Sequence, residues 1–186
     1  MIRSLLLTAC VFAAAVTAEA QTYTIDPVHA SVVFRVKHLE TSYFYGVFKD
    51  VKGSFVLDDD PSKCSVEVEV KAGSVDTNNP GRDKHVKGPD FFSAGEFPTI
   101  TFKSTKVAAG KDGMLDVTGN LTLHGVSKEI TVQVELTGKG RDMKGKEIAG
   151  AACTFRVQRS EFGMTKLIPA VSDEIVLMLA VEGMKK

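Results

Sequence analysis

The sequence predicts an all-β fold of about eight mostly antiparallel strands, with one or two short helices. Three observations carry that prediction. Several runs alternate apolar and polar residues with a period of two, as in CSVEVEVKA at residues 64–72, the pattern of a strand with one buried and one wet face. Turn-forming clusters such as Asp58-Asp59-Asp60-Pro61 and Gly110-Lys111-Asp112-Gly113 separate these runs at short intervals, which favours antiparallel neighbours. No ten-residue stretch of the 186 residues carries a convincing helical period.

The N-terminus stands apart from the fold. Arg3 precedes an apolar run at residues 5–16 and then Ala18-Glu19-Ala20, the order of a secretory leader cleaved after Ala20. Reading Leu7-Thr-Ala-Cys10 as a lipidation signal would leave only residues 4–9 as its apolar core, so ordinary cleavage is the expectation. Removing residues 1–20 from 186 leaves 166, a length that suits one domain, residues 21–186, with its own core. No later segment has the roughly 18 to 20 uninterrupted apolar residues of a spanning helix. The expected location is therefore periplasmic or secreted. Basic and acidic residues number 23 each, and the leader removes Arg3 and Glu19, one of each sign. Nothing in the net charge attracts nucleic acid or an anionic membrane.

The elements follow in order. After a short lead at residues 23–25, Val32, Phe34, Val36 and His38 share one face of a strand against Ser31, Val33, Arg35 and Lys37. Residues 39–45 break the rhythm and are expected to hold a short helix, before a weaker strand at 47–57. Cys64, Val66, Val68, Val70 and Ala72 form the apolar face of the next strand. Asp76-Thr-Asn-Asn-Pro-Gly81 is turn-forming, and Arg82 opens a second short helical connection that runs to Ser93. Strands follow at 99–107, at 114–124 with Leu115, Val117, Leu121 and Leu123 inward, and at 129–137 with Ile130, Val132, Val134 and Leu136 inward. The last two are at 151–159, where Cys153, Phe155 and Val157 share a face, and at 174–181. That final strand is apolar on both sides, Ile175, Leu177, Leu179 and Val181 opposing Val176, Met178 and Ala180. A second apolar face calls for cover by another segment or by a second copy of the chain, so a homodimer is one expected partner. Alternation alone fits a closed barrel or a two-sheet sandwich equally well.

Chemistry-bearing motifs are sparse. His29, His38, His85 and His124 form no HxH or HExxH, and no cysteine pair has metal spacing, so no metal site is expected. There is no GxSxG elbow and no phosphate-binding or dinucleotide loop. His38 falls on the apolar face of its strand, where it serves either as a satisfied core residue or as the polar contact of an apolar cavity. Cys64 and Cys153 fall on strands on opposite sides of an up-and-down barrel, too far apart for the roughly 5.5 Å Cα spacing of a disulfide, and are expected as free thiols. The cluster Arg82-Asp-Lys-His85, followed by Phe91-Phe92, reads as an active site, a head-group clamp or a scaffold corner.

Ordered motifs then converge. Tyr23-Thr-Ile-Asp26-Pro-Val-His29, Phe34-Arg-Val-Lys-His38, Gly46-Val-Phe48, Ser74-Val-Asp-Thr77, Arg82-Asp-Lys-His85, Pro89-Asp-Phe-Phe92, Phe97-Pro-Thr-Ile-Thr-Phe102, Gly119-Asn-Leu121, Arg159-Ser-Glu-Phe-Gly-Met164 and Val171-Ser-Asp-Glu-Ile175 together resemble the YceI-like, polyisoprenoid-binding family across residues 21–186. Ala30 and Val86 depart from its usual Ser and Leu. The resemblance implies a lipocalin-like antiparallel barrel with an apolar cavity for an isoprenoid or similar long-chain lipid, and a binding protein rather than an enzyme, with no cofactor beyond the lipid itself. The expected lining is Phe34, Val36, His38, Val68, Phe91, Phe92, Phe102, Leu121, Leu123, Val132, Val134, Phe155 and Leu177. Arg82, Asp83 and His85 would form a lid, or touch the head group. The competing expectation is an enzyme acting on such a lipid through His38, His85 and Asp83 at the cavity mouth.

Overall fold

A computed structural model describes residues 20–186, so the expected leader, all but its last residue, lies outside the described residues. The strands are β1 (Gln21–Ile25), β2 (Ser31–His38), β3 (Ser42–Phe48), β4 (Val51–Leu57), β5 (Ser65–Lys71), β6 (Val75–Asp76), β7 (Thr99–Ala109), β8 (Leu115–Leu123), β9 (Val126–Arg141), β10 (Glu147–Gln158) and β11 (Val171–Lys185). One α-helix, α1 (Pro80–Lys87), stands between β6 and β7.

β11 pairs with β2 along Val171 to Ala180 and with β1 at Gly183 to Lys185. Thus β1 and β2 act as one bent strand, broken by the turn Pro27–His29. The corner is held by Asp26, which accepts from the Val28 N–H at 2.9 Å and hydrogen-bonds His29 Nδ1 at 2.8 Å. β3 and β4 form a second bent strand, β3 on β2 and β4 on β1. With each bent pair taken as one and the two-residue β6, which pairs with β3, set aside, every strand lies beside its successor and the last beside the first, closing an eight-stranded antiparallel barrel. Alternation left the sandwich open, and the β1–β11 and β2–β11 ladders exclude it.

The two rims differ. At one lie the turn at residues 39–41, the α1 segment at 72–98, the turn at 124–125 and the loop at 159–170; at the other lie the turns at 58–64, 110–114 and 142–146, the start of β1 and the end of β11. Towards the first rim the wall forks. β9 and β10 pair only from Arg141↔Glu147 to Val134↔Cys153, beyond which β9 keeps only β8 and β10 only β11. The 159–164 turn fills the wedge: Phe162 and Met164, 1% and 5% exposed, pack on Leu121, Leu123 and Val157, and His124 Nδ1 meets the Phe162 carbonyl at 3.0 Å.

Two sequence expectations need correction. Residues 39–45 hold no helix. Leu39 and Glu40 make a tight reversal with φ of 50° and 55°, and Tyr43, Phe44 and Tyr45 then alternate within β3. The signal was hidden because neither turn residue is a glycine, which usually supplies positive φ. Residues 47–57 are likewise not one strand. The ladder breaks after Phe48 because the Ser74 hydroxyl accepts the N–H groups of Lys49 and Asp50, each at 3.1 Å. The 82–93 expectation resolves into α1 and a series of turns. Asn79 caps the helix by accepting the Arg82 N–H at 2.9 Å, Pro80 opens it, and it ends before Gly88, as the cap chemistry dictates.

Candidate functional site

Inward residues of the barrel strands leave space between them. They enclose a cavity of about 220 Å³, far above the roughly 10–15 Å³ one water needs. Its lining is almost wholly aliphatic and aromatic. Phe34, Val36, Val68, Phe102, Leu121, Leu123, Val132, Val134, Phe155 and Leu177 all face it, and so do Phe91 and Phe92 from the segment after α1. On the strands these positions alternate with outward-facing ones, as a closed sheet requires.

His38 does not line it. The side chain is exposed, its ring edge-on to Phe44 at 6.3 Å. β2 stays paired with β11 as far as Val171↔His38, while the other edge of β3 is paired by β6 only at Val47 and Phe48, so the face continues where the enclosure does not. Alternation reports a face, not a depth. Conversely, Phe44, Phe48, Val70, Ile100, Val86 and Met164 line the cavity outside the expected lining. The β3 pair could have been found from the alternation Phe44-x-Gly46-x-Phe48, had the turn at 39–41 been recognised.

The segment after α1 closes the first rim. Phe92 is edge-on to Phe34 and Phe48, with ring centroids 6.2 and 5.3 Å apart. Its polar side is a scaffold. Arg82 donates from Nε to Thr77 Oγ1 at 2.9 Å and from Nη2 to the Thr77 carbonyl at 2.6 Å. Asp83 Oδ1 accepts the Thr77 N–H at 2.7 Å and hydroxyl at 2.5 Å. Thr77 is only 2% exposed, so both charged residues satisfy a buried strand end, and the Arg82 guanidinium covers the Phe44 ring at 4.7 Å. His85 Nε2 lies 3.1 Å from Asp90 Oδ2. Asp83 and His85 thus engage different partners, and His38 lies exposed at the end of β2.

Among the described residues one buried charge borders the cavity, Arg159 at the head of the Arg159-to-Met164 motif, which the sequence had not marked as a site residue. Arg159 is 3% exposed and donates to four carbonyls: Nε to Ser172 at 2.9 Å, Nη1 to Met164 at 2.6 Å, and Nη2 to Lys166 at 2.8 Å and Val171 at 2.9 Å. Burial lowers its pKa, yet a guanidinium stays charged. Asp173 instead accepts from Ser160, at 2.8 Å from N–H and 2.6 Å from Oγ. Phe91 lies beneath the guanidinium at 5.6 Å. Arg159 therefore ties the 164–172 loop to the cavity edge.

Cys64 and Cys153 are unpaired thiols. Cys153 lines the cavity, where burial pushes its thiol up to about 11, which suppresses the reactive thiolate. Among the described residues, Asp26, His29 and Glu182 form a cluster with metal-ligand spacing. The first two are already committed to the β1–β2 corner, and none of the three lines the cavity.

The sequence profile described as the YceI-like domain matches residues 23–183. A UPF0312 protein of Pseudomonas paraeruginosa is 42% identical over 172 residues, covering 91% of this chain and 90% of its own. A YCEI protein of Campylobacter jejuni is 35% identical with TM-score 0.70, over 81% of this chain and 90% of that one. Two further structures share the fold: BcnA of Burkholderia cenocepacia (23% identical, TM-score 0.77, covering 85% and 98%) and a polyisoprenoid binding domain of Saccharophagus degradans (14%, TM-score 0.69, covering 88% and 98%).

Proposed function

Because this chain belongs to the YceI-like family, we propose that it is an exported binding protein. It holds an isoprenoid or similar long-chain amphiphile in the barrel cavity, for transport, sequestration or storage. The observation that carries the reading is the apolar cavity closed by Phe91 and Phe92. A hydrocarbon-lined space of this kind favours a guest with little polar surface, since every unpaired polar group transferred into it costs free energy. The name of the Saccharophagus relative, a polyisoprenoid binding domain, points the same way. Export rests on the leader-like residues 1–20 and would place the protein in the periplasm or the medium.

Catalysis finds less support. Asp83 is taken up by Thr77, His85 by Asp90, and His38 stands outside the cavity, so the three groups offer no shared point at which a substrate atom would be attacked. The binding reading requires no cofactor or metal. The test is mass spectrometry of lipid extracted from protein purified out of its native host, together with titration of the delipidated protein by an isoprenoid quinone. A stoichiometric long-chain species and saturable binding are expected. Repeatedly empty extracts with no saturable binding would sink the proposal.

A further inference from the structure

At the lid rim two chain reversals put bare aliphatic side chains into solvent. Leu39, in the β2–β3 turn, is 57% exposed; Leu167 and Ile168, in the 159–170 loop, are 46% and 39% exposed. The two reversals touch, because the Leu39 N–H donates to the Ala170 carbonyl at 2.7 Å and the Val171 N–H to the Leu167 carbonyl at 2.8 Å. Leu39 and Leu167 both hold positive φ, 50° and 60°, a conformation that costs a branched side chain free energy and that asparagine or glycine would adopt more readily. Beside them on the outer face of β3, Tyr43 and Tyr45 are 54% and 52% exposed, with the Arg35 guanidinium 4.4 Å from the Tyr43 ring. Aliphatic tips with tyrosine and cationic side chains just behind them follow the order of a lipid interface, where rings sit at head-group depth.

These tips are continuous with the lid. Lys166 Nζ lies 3.9 Å from Asp90 on the lid, and Arg159, at the cavity edge, donates to the Lys166 carbonyl and covers Phe91. We propose that Leu39, Leu167 and Ile168 form a docking tip for a lipid bilayer, through which the protein exchanges its ligand by collision with a membrane rather than by release into water. The inference rests on the lipid-binding reading. A bilayer is favoured over a protein partner because the apolar groups stand on reversals at a barrel end, beside the closure of a cavity suited to a membrane lipid. The net charge of zero assigns the contact to apolar insertion, so binding should persist in high salt.

The test is transfer of a fluorescent isoprenoid from the loaded full-length mature protein to neutral phosphatidylcholine vesicles. It compares the native chain with Leu39→Asn/Leu167→Asn/Ile168→Ser, whose asparagines suit the positive φ. For the native protein the transfer rate should rise with vesicle concentration. The variant should lose that dependence and transfer about tenfold or more slowly, since the apolar contact that holds the encounter is gone. A native rate independent of vesicle concentration, or a variant that transfers as fast, overturns the proposal. So does a variant whose sedimentation changes from dimer to monomer, which would assign the tip to a second copy. Failure of the lipid-binding reading looks different, because neither protein would then take up the probe in solution. A single Ile168→Ser variant with native melting temperature guards against misfolding and should show the same direction of change.

Discussion

Gly46 lies directly beneath the Phe34 ring, its cross-strand partner, and a β-carbon there would stand 2.2 Å from Phe34 Cζ. The glycine is what lets the aromatic lie flat against the wall and leaves the cavity open, a close approach that only a missing side chain permits. Gly46→Ala should therefore push Phe34 into the cavity, costing on the order of 1–3 kcal/mol by overpacking and weakening ligand uptake in the same variant. Thermal melting and quinone titration check both halves; an unchanged melt with native uptake would show that the ring has other room. The residue scale is also where the sequence was least legible. Arg159 looks like an ordinary strand-end arginine, and its role comes from four carbonyls at residues 164, 166, 171 and 172. A carbonyl is the same on every residue type, so sequence carries no trace of which side chain will find it.

At the scale of elements, the segment at the first rim uses two of its polar residues as anchors. Arg82 and Asp83 together satisfy the N–H, hydroxyl and carbonyl of buried Thr77. Replacing both with alanine leaves those groups without partners, at about 1–3 kcal/mol for each one stranded. The expected result is a double variant less stable by several kcal/mol, on the order of three such groups, which still selects the same lipid. Denaturant midpoints and competitive binding measure the two effects; native stability with altered lipid choice would move the pair from scaffold to head-group contact. Most strands were legible because hydrophobic period two is enforced at every inward position of a closed sheet, as at Val66, Val68 and Val70. The β2–β3 hairpin was misread because its turn spends positive φ on Leu39 and Glu40, and the break after Phe48 because it depends on Ser74, distant in sequence. Long-range hydrogen bonds of that sort leave no local pattern.

For the whole molecule, the closed barrel sets how long a guest the proposed binding can accommodate. Strands of about ten residues tilted by about 40° give a wall roughly 25 Å tall, bounded at one rim by Phe91 and Phe92. Inside it, each methylene transferred from water contributes about 0.8 kcal/mol, close to fourfold in affinity. Affinity across a series of isoprenoid alcohols should climb steeply with tail length and then flatten once the tail outgrows the cavity, because further units must fold back or stay wet. Changes at the head group should matter less than added tail, since the lining offers hydrocarbon almost everywhere and the Arg159 donors are largely taken by backbone. Ligand at one hundred times its dissociation constant should stabilise the fold by about 2.7 kcal/mol, which for a chain of this size raises the melting temperature by roughly 5–10 °C. Isothermal titration and melting of the series decide it. A flat dependence on tail length, or a strong one on head group with tail held constant, would mean that binding occurs outside the cavity, and the apolar interior would then need another explanation than its guest.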